Sequence, residues 1–263
     1  DFNAHSKADA ERQDGIETFE DKDIVFQDIS YDQLIQLLGQ EGNYLIQLSG
    51  SWCHNSRAMS PYVNAYAKEY GIDTIYSYDF NVDNGDDGSM FVRMSNEKTT
   101  LGTKYNYMYG EFVSRYLTNL DDWIAYPSDH DTALSYTNAE GKEVTVGRLQ
   151  QPIIFLYNKD NQTDYSGKGN TSGKCPIMYA FEEMVDRDSK GLYVKETDDE
   201  GNPVLDKEGN QVRKYVTDEY TARLKQMFEF IKTNNIQFSK YTKETYIRDT
   251  FNSYGTEVFG SDE

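Results

Sequence analysis

The pattern of apolar and polar positions becomes regular at Asp23. Residues 1–22 are polar and rich in charge, and we interpret them as a flexible leader. From residue 23 to 263 we predict a single domain, in which a short strand over 23–26 precedes a helix capped by Ser30. The apolar face of this helix comprises Leu34, Ile35, Leu37 and Leu38, and Gly39 ends it.

Two strands and an intervening helix follow. The apolar run 43–48 predicts a buried strand, and 73–80 alternates like a second strand. The stretch 57–70 between them is typical of a helix and is closed by Gly71. Strand, helix and strand in this order predict a βαβ unit with a parallel strand pair.

The middle of the chain mixes helical and hairpin patterns. An aromatic, amphipathic stretch over 105–120 predicts a helix. The stretches 133–136 and 144–146 flank a turn and predict a hairpin, which leads to an apolar strand over 153–157. A helix is predicted over 177–185.

The C-terminal part predicts a surface hairpin or meander between 192–195 and 211–216, with similar turns at 200–202 and 208–210. A helix from Thr217 to Lys232 follows, and a short helix is expected over 243–254. The apolar stripe of the longer helix comprises Tyr220, Leu224, Met227, Phe228 and Ile231.

Charge narrows the functional classes. The chain has 45 acidic and 26 basic residues and a formal charge of -19. Such a surface repels phosphate backbones and anionic lipid headgroups, so we expect no nucleic-acid partner.

The sequence contains no apolar run of about 18 residues, the length that a membrane span needs. The start at Asp1 without an initiator Met leads us to expect a protein that is secreted, or anchored on the extracytoplasmic side by a lipid attached upstream.

Two motifs carry the candidate chemistry. The first strand of the βαβ unit runs into Trp52 and Cys53, a helix begins at the cysteine, and Pro61 follows eight residues after Cys53. The second motif, Gly-Arg-Leu-Gln-Gln-Pro over 147–152, precedes the strand 153–157. Together they resemble thioredoxins, which place Trp, Cys and a helix-kinking Pro at the same offsets and have a cis-proline segment. The resemblance covers about 23–83 and 147–186.

This resemblance implies a thioredoxin-like α/β fold, with a mixed sheet flanked by helices and with helical and hairpin insertions at about 84–146 and 190–216. It implies that Pro152 is cis and that Gln151 and Pro152 bind an extended substrate by strand addition near Cys53. Trp52 and His54, which flank Cys53, complete the candidate substrate-binding residues.

Physical chemistry favours a reactive Cys53. A cysteine at a helix N-terminus faces unpaired N–H groups and the positive end of the helix dipole, and both favour the thiolate. A protonated His54 would add to this effect; a solvent-facing histidine without a role is an equal alternative.

Two departures from the family pattern argue against dithiol reductase activity. Ser56 stands where the second cysteine would be, which leaves a Cys-x-x-Ser motif with Cys53 and Ser56 as the catalytic candidates. A hydroxyl cannot attack a mixed disulfide as a thiolate can. Gln47 stands where thioredoxins bury a carboxylate, and an amide cannot carry a proton back and forth.

Cys175 is the other cysteine, so the chain can form at most one disulfide and no four-cysteine metal site. It precedes Pro176, as if at the N-cap of the helix predicted over 177–185. It is therefore a candidate resolving thiol for Cys53, and a structural or solitary thiol is the alternative. We predict no metal and no cofactor.

Two functions remain open from the sequence. The first is extracytoplasmic monothiol thiol–disulfide exchange, of isomerase or oxidoreductase type, with protein or small-molecule thiols and disulfides as partners. The second is a redox-inactive binding module of the same fold for a protein or peptide partner. The two hypotheses differ in whether Cys53 is accessible and reactive.

Overall fold

The computed structural model describes residues 22–50, 53–80, 103–169, 173–182, 190 and 194–242, with side chains between 103 and 106 excepted. Of the predicted features, the leader apart from Lys22, the residue Trp52 and the short helix over 243–254 lie outside these ranges. The described chain is a mixed α/β protein.

Strands and helices alternate along the first part of the described chain, and strands dominate its second part. The elements in chain order are β1 (Phe26–Asp28), α1 (Tyr31–Gly39), β2 (Tyr44–Ser49), α2 (His54–Glu69), β3 (Ile75–Asp79), α3 (Thr103–Tyr116), a 3-10 helix (Leu120–Asp122), β4 (Leu134–Thr137), β5 (Glu143–Val146), β6 (Ile153–Tyr157), β7 (Ile177–Glu182) and α4 (Asp218–Thr233).

Five of the strands form one mixed sheet in the order β1-β3-β2-β6-β7. Strand β3 pairs in parallel with both β1 and β2, and β6 pairs antiparallel with both β2 and β7. The predicted βαβ unit is therefore confirmed as β2-α2-β3. Strands β4 and β5 form a separate antiparallel hairpin, also as predicted.

The sheet is covered on both faces. Tyr44, Ile46 and Leu48 of β2 belong to one apolar core, which includes residues of α1 and α3. Leu45, between them, belongs to a second core with α2 and α4. This alternation is the period of two that a strand imposes, and it fixes which helix lies on which face. None of the described helices is both long and apolar enough to cross a bilayer.

Local capping explains where α1 and α4 begin. The Ser30 hydroxyl accepts from the backbone N–H of Gln33, whose side chain accepts in return from the Ser30 N–H, a complete capping box. The Thr217 hydroxyl accepts from the N–H of Tyr220. Both predicted helices are confirmed, and the stripe predicted for α4 is buried throughout.

Strand β1 begins later than the pattern predicts. The prediction starts it at Asp23, whereas pairing with β3 starts at Phe26, opposite Ile75. The N–H of Val25 donates instead to the side-chain oxygen of Asn64 on α2, at 2.9 Å. A side chain of the neighbouring helix thus takes the bond that would have extended the strand.

The helix predicted over 177–185 is wrong, because Ile177–Glu182 is the strand β7. Both faces of this strand are covered, so the run Ile-Met-Tyr-Ala-Phe is continuously apolar and shows no alternation. Pro176 before it gave the impression of a helix start, but its carbonyl accepts from the N–H of Asn158. Cys175 consequently caps no helix.

The segment 194–216 is a largely exposed meander, as predicted, held by single antiparallel bridges. In each of its two turns an aspartate side chain accepts from two backbone N–H groups of the turn. Asp198 accepts from the N–H groups of Glu200 and Asn202, and Asp206 accepts from those of Glu208 and Asn210.

Candidate functional site around Cys53

Cys53 occupies the N-cap of α2, a helix of 16 residues, with φ -86° and ψ 122°. Its N–H donates to the carbonyl of Gly50 at 2.9 Å, and its carbonyl accepts from the N–H of Arg57 at 3.0 Å. These bonds fix the backbone, while the side chain makes no capping bond and the thiol is free and partly exposed. The residue is therefore partly open to solvent.

The segment 147–152 lies against this thiol. The peptide bond between Gln151 and Pro152 is cis, which confirms the prediction for Pro152. The Cys53 Sγ lies 3.9 Å from the carbonyl oxygen of Gln151, a weak hydrogen bond. The Gln151 side chain is 2% exposed and donates from Nε2 to the carbonyl of Ser49 at 3.2 Å. The structure therefore brings together three of the predicted residues, namely Cys53, Gln151 and Pro152.

Ser56 is buried beneath the motif rather than presented to solvent. It is 1% exposed, and its hydroxyl accepts from the N–H of Gly50 at 3.2 Å. Its carbonyl accepts from the hydroxyl of Ser60 at 2.7 Å. Ser56 therefore fixes the loop that leads into Cys53. Because its hydroxyl is buried and hydrogen-bonded, it is unsuited to attack a substrate.

Gln47 extends the same buried polar chain from β2. It is 2% exposed, and its Nε2 donates to the Ser60 hydroxyl at 3.2 Å. Gln47, Ser60 and Ser56 are thus linked by neutral hydrogen bonds. Neither Gln47 nor the two serines can exchange a proton readily near neutral pH, so this chain supports the motif without supplying a general base.

His54 and Arg57 contribute basic groups to the first turns of α2. Nδ1 of His54 lies 3.3 Å from the hydroxyl of Tyr215, and the two rings meet edge to face with centroids 6.1 Å apart. Arg57 is 1% exposed. Burial lowers the pKa of the Arg57 guanidinium, and the nearby Tyr215 acts in the opposite direction.

Tyr109 of α3 holds the other side of the site. Its hydroxyl donates to the carbonyl of Gly147 at 2.8 Å and accepts from the N–H of Leu149 at 2.9 Å. Tyr109 is 1% exposed, so both bonds are shielded from water. A single side chain from the 84–146 region thereby fixes the path of the segment that leads to Gln151.

Glu182, at the end of β7, supports the same segment. It stands opposite Ile153 in the sheet, and its carboxylate accepts from the backbone N–H of Gln150 and from that of Ala125, the latter at 2.8 Å. Burial raises the pKa of Glu182 to about 7, and the two N–H groups act in the opposite direction. This carboxyl is the titratable support of the segment beside Cys53.

Cys175 is remote from this site. It is 2% exposed and takes part in no disulfide, its N–H donates to the Asn161 carbonyl at 3.0 Å, and the side chain of Asn161 donates to its carbonyl. Its neighbour Pro176 bonds to Asn158, whereas Cys53 contacts Gln151 at the other end of β6. Seven residues of extended chain between those contacts span about 20 Å, and a disulfide requires Cα atoms within about 7 Å. The geometry therefore argues against Cys175 as the resolving partner of Cys53.

Three contacts that support the site were not predicted from the sequence. The hydroxyls of Tyr109 and Tyr215 act across 38 and 161 positions of the chain, and no local pattern marks contacts of this kind. The helix predicted over 177–185 concealed the position of Glu182 beside Gln150. Within the described ranges, no three His, Cys, Asp or Glu side chains are grouped as metal ligands.

Comparisons with known proteins add no relative to this description. No family model, no curated protein and no solved structure matches the chain.

Proposed function

We propose that this chain is a thioredoxin-like, extracytoplasmic monothiol exchange protein in which Cys53 is the nucleophile. The observation that carries the proposal is a free, partly exposed thiol at the N-cap of a 16-residue helix. The helix end favours a thiolate at this position. The mixed sheet flanked by helices, with the segment 147–152 beside the cysteine, supports the fold assignment.

The reaction follows from the groups that surround the sulfur. The Cys53 thiolate attacks one sulfur of a substrate disulfide, so that a new S–S bond forms while the substrate S–S bond breaks. The displaced sulfur leaves as a thiolate and takes a proton from water. The Gln151 carbonyl beside the thiol marks where an extended substrate backbone would lie.

Release requires a thiol from outside the protein, because Ser56 has none and is committed to Gly50. A second thiol of the substrate, or a small-molecule thiol, attacks the substrate sulfur of the mixed disulfide. Cys53 leaves as a thiolate, and a new disulfide forms on the substrate side. The number of disulfides is conserved, so this isomerase-type exchange needs neither an oxidant nor a reductant.

The test is the rate of alkylation of Cys53 against pH, followed by mass spectrometry in the wild type and in Cys175→Ala. We expect Cys53 to be alkylated much faster than the buried Cys175 of the wild type, because Cys53 lies at a helix N-terminus and is partly exposed. With a peptide disulfide, we expect a mixed disulfide at Cys53 that persists until a thiol is added. Cys53→Ser should form none.

Slow alkylation at every pH, with no mixed disulfide, would overturn the exchange function. The chain would then be better described as a binding module, in which the surface beside Gln151 and Pro152 holds an extended protein or peptide partner.

A further inference from the structure

Tyr215 is held at the junction of two elements. The N–H of Lys214 donates to the carbonyl of Val194 at 3.0 Å and closes the meander 194–216 at its base. Thr217, two residues beyond Tyr215, is the N-cap of α4. Although the meander is largely exposed, Tyr215 is only 9% exposed. Its position is therefore determined by the backbone on both sides.

From this position Tyr215 reaches the first residue of α2. Its hydroxyl lies 3.3 Å from Nδ1 of His54, and the rings are inclined at 68°. Arg57, one turn later on the same helix, is near enough to interact electrostatically with Tyr215. The phenol thus contacts the residue that directly follows Cys53 in the chain.

A phenol suits an imidazole in both of its charge states. Its O–H can donate to the Nδ1 of a neutral ring, and its oxygen can accept from the Nδ1–H of a protonated ring. Histidine changes charge between about pH 5 and 8, and a cation close to a thiol favours the thiolate. If the imidazole of His54 is held in one orientation, its positive charge has a fixed position relative to the Cys53 thiol.

We propose that Tyr215 is a positioning residue for His54, through which the 194–216 meander sets the reactivity of Cys53. Among the described contacts of the imidazole, the hydroxyl and the ring of Tyr215 reach it from the meander. This inference rests on the proposed function only for its consequence at Cys53; the effect on His54 stands without it.

The experiment measures His54 and Cys53 separately. The pH titration of the three histidines is followed by NMR in the wild type, in Tyr215→Phe and in the control Tyr44→Phe, with His54→Gln to assign the signal. Tyr44→Phe removes a hydroxyl that bonds to the Glu41 carbonyl at 2.9 Å, at the opposite end of β2. We expect the ring signals of His54 to shift in Tyr215→Phe, because the ring loses the neighbouring hydroxyl, and those of His130 to stay unchanged in every variant.

Cys53 alkylation between pH 5 and 8 is then compared in Tyr215→Phe, His54→Gln and the double variant. We expect Tyr215→Phe to lower the rate by about two- to fivefold, the effect of one nearby charge, and to do nothing further once His54 is replaced. Unchanged His54 ring signals in Tyr215→Phe, or additive losses in the double variant, would overturn the proposal. A wild type whose Cys53 does not react would contradict the proposed exchange function instead, while shifted His54 ring signals would still support the positioning role.

Discussion

Cys53 and Cys175 lie at opposite ends of the strand pair β6–β7, and their surroundings differ in kind. At Cys53 the backbone is fixed by bonds to Gly50 and Arg57, while the sulfur makes a weak contact, to the Gln151 carbonyl, among the described residues. At Cys175 the backbone is bonded on both sides by Asn161, and the residue is 2% exposed. Cys53 is thus partly exposed, because it lies at the start of a helix. Cys175 is buried, because it lies in a turn closed by hydrogen bonds to Asn161.

The two ends also differ in what holds the chain beside each thiol. Asn119 binds the start of β7 with a pair of bonds: its Nδ2 donates to the Ile177 carbonyl at 2.9 Å, and its Oδ1 accepts from the Ile177 N–H at 3.0 Å. At the Cys53 end the support comes from Tyr109, Glu182 and Ser56. The chain near Cys175 is therefore held by a neutral amide, that of Asn119, whereas the chain near Cys53 is held in part by a titratable carboxyl, that of Glu182.

The largest effect is expected from breaking the Cys175 end. Asn119→Ala leaves the N–H and C=O of Ile177 buried without these partners, which should lower the free energy of unfolding by about 2–4 kcal/mol in urea titrations. Local opening near β7 should raise the alkylation rate of Cys175 about tenfold or more, with little change at Cys53.

The control for this variant is Asn138→Ala. The Asn138 side chain also makes two bonds to the backbone, both accepted from N–H groups, those of Glu140 and Lys142, but in an exposed hairpin turn where water replaces it. We expect a loss below about 1 kcal/mol. Equal losses in the two variants would contradict the importance assigned to burial at the Cys175 end.

Asn119 also illustrates how much of the fold can be read from the sequence. The α4 stripe and the Ser30 cap of α1 were predictable, because a period near 3.6 and a capping residue are local signals. Strand β7 was not, since a short apolar run covered on both faces has no alternation, and pairing with β6 decided its state. Asn119 bonds to Ile177 across 58 positions, a contact that no local pattern encodes.

The residues of the candidate site likewise fall into a predicted group and a group that was missed. Cys53 at a helix start and Pro152 beside it were predicted from short motifs, and the structure brings them together. Tyr215 and Glu182 were missed, because each reaches the site from a distant part of the chain. Short motifs thus indicated the candidate nucleophile, and the groups that support it emerged only from long-range packing.

The second prediction sharpens the choice of partner for Cys53. Residue 56 is the third residue of α2, and N-cap and N3 side chains face each other across the first helical turn. We expect oxidised Ser56→Cys to form a disulfide with Cys53, so that a thiol count of the denatured protein finds one reduced cysteine, Cys175. The lost hydroxyl acceptor for the Gly50 N–H should cost about 1 kcal/mol in the reduced protein.

Ser60→Cys provides the matched control, because Ser60 is also buried but lies one turn further along α2. After oxidation both native cysteines should remain reduced in it. A Ser56→Cys protein that keeps Cys53 available for labelling after oxidation, or that joins it to Cys175, would show that the first turn of α2 is arranged differently.

The smallest effect is expected from the titratable support at the Cys53 end. Folding raises the pKa of Glu182 from its ordinary value of 4.5 to about 7, chiefly through burial, so the folded state favours the protonated carboxyl. The resulting stabilisation is complete below the pKa of the unfolded state and is lost as the pH rises through about 7.

Glutamine resembles the protonated form of Glu182 and does not titrate. Glu182→Gln should therefore match the wild type near pH 5 and exceed its free energy of unfolding by about 1 kcal/mol at pH 8, a modest figure because Glu182 is partly exposed. Urea titrations across this range measure the difference, with the exposed Glu143→Gln as the control that should run parallel to the wild type. Alkylation of Cys175 should be the same in all three proteins at each pH, because its end of the strand pair is held by neutral amides; a difference in unfolding free energy that does not change with pH would contradict the role given to Glu182.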